Sequence, residues 1–206
     1  MKPLLQAAAL ALVLFSASAV SAQTDASVAD AIRLAAEAFD QGREAYQAGN
    51  YAAAADHFED ADGHAASNKA IEFAIRSRLK AGQQDRAASL AELAIQRYPR
   101  DARLKDLAEG ILGETADTLH RIAVSCEAPC KLTLDGTPVH GRAETERVVY
   151  LTPGKHKLIA RFPNQRGAAK LVIAREGGES EASFTQPQPN KTVIPTPDAP
   201  KNAGTM

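Results

Sequence analysis

The chain of 206 residues contains no tryptophan and only two cysteines. Any core it builds lacks the largest aromatic anchor. An excess of charge is missing as well, with 24 basic against 25 acidic side chains. That balance excludes a general nucleic-acid binder. The apolar run Leu4–Phe15 is broken by Gln6 and covers about a dozen residues. A spanning helix needs about 20, because the hydrocarbon core is about 30 Å thick. Recognisable chemistry is also absent. There is no Ser/His/Asp order, phosphate loop, nucleotide fingerprint or paired-carboxylate motif. The expectation is a protein that is not an enzyme and holds no cofactor or metal. A hydrolase with its site at a domain junction is the remote alternative, since catalytic groups meet in space.

What is present begins at the N-terminus. Lys2 is followed by the apolar run, then by Val20-Ser21-Ala22 with small side chains before Gln23. This is the pattern of a secretory signal peptide over residues 1–22, cleaved before Gln23. No cysteine stands at the cleavage point for a lipid anchor. The expected location is the periplasm of a Gram-negative bacterium, or the exterior. Removing the leader leaves 184 of 206 residues, enough for one or two small domains.

Charge and composition divide those residues. Residues 23–119 carry 11 basic and 17 acidic side chains, net −6, and are rich in alanine. Residues 120–186 carry 10 basic and 7 acidic, net +3, and are rich in Val, Ile, Leu and Thr. The fold class expected is α+β in two domains, helical over 23–119 and stranded over 120–186. The Pro-rich tail 187–206 has too little apolar surface to order itself.

Punctuation predicts four or five helices between Ser27 and Leu119. Ser27 caps one that runs to Ala48, and Gly49-Asn50 ends it. Others cover about Tyr51–His64, Lys69–Ala81 and Asp85–Tyr98, and Asp101 caps a fifth. They repeat. Gly49, Ala54, Phe58 and Ala61 recur as Gly82, Ala87, Ala91 and Ala94, each 33 residues later. Ala38, Gly42, Ala45 and Gly49 share one helix face and let a second helix approach. Phe58 fills the gap between them.

On these residues the chain resembles the tetratricopeptide repeat family. The first copy carries Gly42, Ala45, Gly49, Tyr51, Ala54, Phe58 and Ala61. The second carries Gly82, Ala87, Ala91, Ala94 and Pro99. It departs at Arg78, where the first copy has Ala45, and at Gln84, where it has Tyr51. A generic alanine-rich bundle is the alternative. The resemblance implies a concave surface lined by the first helix of each pair. Here that surface offers Arg43, Gln47, Lys69, Glu72, Arg76 and Lys80. Lys69, Arg76 and Lys80 lie on one face. They form a basic stripe suited to an acidic peptide or a terminal carboxylate, or a merely solvated face.

From Arg121 the apolar period becomes two. Ile122, Val124 and Cys126 alternate, as do Leu132 and Leu134, then Leu158, Ala160 and Phe162, then Leu171 and Ile173, then Ala182 and Phe184. Asp135-Gly136 and Pro153-Gly154 mark turns. Six or seven short strands read as a small antiparallel sandwich. The runs Cys130–Val139 and Val149–Leu158 resemble the PEGA family. The tetrapeptide that names it is absent, and His140-Gly141-Arg142-Ala143 stands near its place. That resemblance implies an interaction module of the bacterial envelope.

An even cysteine count in an exported protein favours a Cys126–Cys130 disulfide. A zinc site drawn from Cys126, Cys130, His120 and His140 is the alternative. His57 and His64, with Asp56, Asp60 and Asp62, suggest weak metal binding or a solvated face. The functional expectation is a non-enzymatic exported adaptor that binds envelope proteins or peptides through its repeats. The alternative is a peptidoglycan- or polysaccharide-binding module on a helical spacer, which exposed aromatic and polar side chains on one sandwich face would favour.

Overall fold

A computed structural model of the chain describes residues 18–163 and 166–187. Most of the expected leader and nearly all of the expected Pro-rich tail lie outside the described residues. No described helix is long and apolar enough to cross a membrane.

Five helices come first: α1 (Ser18–Gln47), α2 (Tyr51–His64), α3 (Asn68–Lys80), α4 (Gln84–Arg97) and α5 (Ala102–Thr115). α1 begins before Ser27, so Ser27 lies inside the helix and is not its cap. Asp101 does cap α5, accepting from the Leu104 N–H at 3.1 Å. Ser67 caps α3 in the same way through the Ala70 N–H.

The 33-residue offset has a backbone cause. α1 and α3 both end on a glycine in the left-handed region, Gly49 at φ 79° and Gly82 at φ 71°. The residue after each glycine donates back five positions, Asn50 to the Ala45 carbonyl and Gln83 to the Arg78 carbonyl, both at 2.9 Å. Any other residue would be strained at that φ, so glycine sets both hairpin turns.

The small-residue face works as the spacing predicts. Ala38 and Gly42 are buried, and Ala45 is half-buried. A Cβ at Gly42 would lie 2.7 Å from Phe58 Cε1. The fully buried Phe58 ring meets Phe39 at 5.1 Å and Phe73 at 5.2 Å between centroids. Burying such a side chain is worth about 2–3 kcal/mol. Phe39 also meets Phe73 edge-on, which ties α1 to α3 as well as to α2.

Six strands follow: β1 (His120–Leu134), β2 (Thr137–Pro138), β3 (Glu144–Leu151), β4 (Gly154–Arg161), β5 (Gly167–Ala174) and β6 (Glu179–Phe184). β1 organises them all. Its first half pairs with β3 and β6. Its second half pairs with β2 and β4, and β4 carries β5 at the edge. The β1–β3 register breaks between Ser125 and Cys130. A strand that serves two sheets turns its corner at such an irregularity. Cys126 and Cys130 are disulfide-bonded across that break, with Cα atoms 6.3 Å apart. The pairs are antiparallel except β1–β6, which is parallel.

One expectation is inverted. Leu171 and Ile173 do not point inward; they are 69% and 61% exposed, and Val172 and Ala174 are buried instead. Every residue of Leu171-Val172-Ile173-Ala174 is apolar, so hydrophobicity does not choose which alternate pair faces inward.

Candidate functional site

The odd-numbered helices share one side of the helical half. Phe39 on α1 meets Phe73 on α3. Asn68 on α3 donates to Asp101, the cap of α5, at 2.7 Å, and Arg103 on α5 reaches Glu72 on α3 at 3.1 Å. The expected surface residues lie along this side in three different conditions. Lys69 and Lys80 are exposed and make no ion pair among the described residues. Instead, Lys69 Nζ stands 5.4 Å over the Phe39 ring, and Lys80 Nζ stands 5.6 and 5.0 Å over Tyr46 and Tyr51. Arg76 is half-exposed and pairs with Glu72 at 2.9 Å. Arg43 pairs with Asp40 on its own helix, and Gln47 is exposed. The stripe therefore consists of two aromatic-seated lysines flanking an Arg76–Glu72–Arg103 cluster. A cation over a ring keeps its charge available to a ligand while its stem is held.

Behind this face runs a buried polar spine that the sequence does not disclose. Arg78, the departure from the small-residue pattern, is wholly buried. It donates to Glu59 Oε1 and to Gln83 Oε1, both at 2.7 Å, and also pairs with Asp56. Arg86 makes a second contact with Glu59 at 3.1 Å. The signal available was the arginine in an alanine slot; nothing in spacing named its partners.

A second polar cluster joins the helices to the strands. Asp62 is fully buried and accepts from the Ser67 N–H at 2.9 Å, Arg97 at 2.7 Å and His140 Nε2 at 2.7 Å. Burial pushes its carboxyl upward. The hydrogen bonds from His140 and Ser67 and the charges of His140 and Arg97 outweigh that and hold it below its ordinary value. Burial and the Asp62 charge together raise the neighbouring Tyr98 phenol. Beside this cluster, Tyr150 packs into the helical core, its N–H donating to Ser89 Oγ at 2.9 Å and its hydroxyl to Glu92 at 3.3 Å. Burial, then the Glu92 charge, raise the Tyr150 phenol.

Between α4 and the β2–β3 segment lies a cleft of about 310 Å³. Leu90, Leu93, Pro138 and Val149 give it apolar walls, and Glu59, Arg86, Glu92 and Arg147 give it charged ones. Those charges are already paired with one another or with neighbours. Arg86 takes Glu59, and Arg147 takes Glu144 and the carbonyls of His140 and Arg142.

The remaining histidines and cysteines are not brought together. Both thiols are in the disulfide, so neither is a zinc ligand. His120 is buried between Ser180 Oγ at 2.8 Å and the Arg175 N–H at 3.2 Å. His140 faces Asp62. Asp56 and Asp62, placed by sequence near His57 and His64, turn instead to arginines. Among the described residues no group of three or more His, Cys, Asp or Glu is arranged to hold a metal.

No protein-family model matches this chain, and a search of curated proteins finds no match.

Proposed function

We propose that the chain is a non-enzymatic adaptor of the cell envelope, exported by a cleaved leader, whose helical hairpins act as tetratricopeptide-like repeats. The odd-numbered helices would hold an acidic segment of a partner protein. The observation that carries this reading is the pair Lys69 and Lys80. Both are exposed, unpaired among the described residues and seated on aromatic rings. The repeated Gly49 and Gly82 hairpin ends supply the regular stacking such a surface needs. The strand half, which resembles PEGA modules, would present the array to a second envelope component.

The polysaccharide reading has less behind it. Tyr150, Phe162 and Phe184 are the aromatics of the strand half, and all three are buried. A sugar-stacking platform needs at least one of them at the surface.

The test is capture by the full mature chain from envelope extract, run beside Lys69→Glu/Lys80→Glu. The expected result is a partner identified with wild type, lost with the double variant and weakened by salt. Salt screens such contacts because the Debye length falls from about 10 Å at 0.1 M to about 3 Å at 1 M. A partner retained equally by the double variant would remove the stripe from the interface. An intact Met1 on the located protein would remove export.

A further inference from the structure

The outward phase of β5 creates a surface that the adaptor reading does not use. Register places its members. Lys157 pairs with Leu171 and Lys155 with Ile173 across β4–β5, and Lys131 pairs with Arg161 across β1–β4. Side chains alternate along each strand, so these six residues share the outer face. All six are exposed. Between the two ends of the face, Ile159 and Ala169 continue the apolar strip.

Two properties together mark this face. First, none of Lys131, Lys155, Lys157 or Arg161 makes an ion pair among the described residues. Most described arginines of the helical half are matched to carboxylates. β4 and β5 contain no acidic residue at all. The nearby Asp135 is occupied by the Lys157 N–H at 2.7 Å and by His156 at 2.7 Å. Second, Leu171 and Ile173 are the only large apolar side chains exposed outside α1 among the described residues.

We propose that this face docks the protein on an anionic phospholipid surface. Lys131, Lys155, Lys157 and Arg161 would meet headgroup phosphates, and Leu171 and Ile173 would enter the acyl boundary. Lipid fits better than the other polyanions. Single-stranded nucleic acid is held by aromatic stacking as well as charge, and the face has no aromatic residue. A second copy of the chain, paired edge to edge through β5, would bring two cationic faces side by side. A basic patch with adjacent aliphatic side chains is the combination a charged bilayer binds, charge giving approach and apolar insertion giving hold.

The test uses the full mature chain and sedimentation with vesicles. One set holds equal parts phosphatidylglycerol and phosphatidylcholine, and the other holds phosphatidylcholine alone. Binding is expected only to the first. Each surface lysine contributes about 1 kcal/mol near an anionic leaflet, so Lys155→Glu/Lys157→Glu should weaken it about thirty-fold or more. Leu171→Ser/Ile173→Ser should weaken vesicle binding and leave heparin binding unchanged. Because the chain has no tryptophan, Leu171→Trp adds a lone reporter, whose emission should shift to the blue on phosphatidylglycerol vesicles alone. The proposal is overturned by equal binding to neutral vesicles or by an unshifted reporter. Full vesicle binding by Leu171→Ser/Ile173→Ser would make the face a general polyanion site, and a dimer abolished by that variant would make it an interface between copies. Neither outcome bears on the partner held by Lys69 and Lys80.

Discussion

Replacing Arg78 with alanine should cost the helical half about 3 kcal/mol. The guanidinium is wholly buried, and its chief partner Glu59 has a side chain only 10% exposed. Removing one member of a buried pair costs about 3–5 kcal/mol, because the other charge stays behind without compensation. Two features place Arg78→Ala at the low end. The Asp56 side chain is 60% exposed, so its share is screened by water. Arg86 remains to hold Glu59 at 3.1 Å. Against this, Gln83 Oε1 also loses its donor, and the vacated volume adds a cavity term. Urea unfolding followed by circular dichroism at the helical band reads the change as a lower midpoint at constant slope. Arg78→Met/Glu59→Leu should recover part of the loss, since apolar groups of similar volume replace the buried pair while Arg86 keeps only Asp56 at 3.6 Å. A loss below about 1 kcal/mol for Arg78→Ala would match an exposed ion pair. That result would refute the reading of Arg78 as the centre of a buried spine.

Three other perturbations test separate parts of the fold. Gly42→Ala places a methyl 2.7 Å from the Phe58 ring and should lower stability by about 1–3 kcal/mol; an unchanged urea midpoint would mean that the ring yields freely. Reduction of Cys126–Cys130 should destabilise the strand half by about 2 kcal/mol, the chain-entropy value for so short a loop, and thermal unfolding with and without reductant measures it. The Asp62 carboxyl is lowered in the fold, so its contribution is complete above the unfolded pKa of about 3.9 and is lost as pH falls through the lower folded value. Asp62→Asn should therefore flatten the acid limb of stability against pH, and an identical limb in both proteins would contradict the His140–Asp62–Arg97 arrangement.

Apart from the start of α1, which lies before Ser27, the helix boundaries were legible because their punctuation is local. Gly49-Asn50 and His64 bound α2 at the residues the spacing predicts, and Asp101 carries its cap in its own side chain. The strand turns at Asp135-Gly136 and Pro153-Gly154 are legible for the same reason. Phase is another matter. In Leu171-Val172-Ile173-Ala174 the inward side is chosen by the β4 register and the core behind it, neither of which is written in those four residues. The parallel return of β6 depends on the path taken around the corner of β1. Long-range polar partners are the least visible of all. His140 lies 78 residues from Asp62, and no periodicity relates them. Arg78 was conspicuous as a departure, yet its meaning waited on Glu59 and Asp56 arriving from the preceding helix.

β3 has two masters. Val149 and Leu151 belong to the core of the sheet, and Tyr150 between them belongs to the core of the helices. The covalent boundary between the halves falls near Leu119, but the physical one runs through a strand some thirty residues later. Cutting the chain at 119 would leave Tyr150 bare on one fragment and remove the Tyr150 contacts of Ser89 and Glu92 on the other. Separate expression of the strand half thus calls for a polar replacement at Tyr150 first. In the intact protein a load applied to the sheet reaches the helices through Tyr150 and through the His140–Asp62 hydrogen bond.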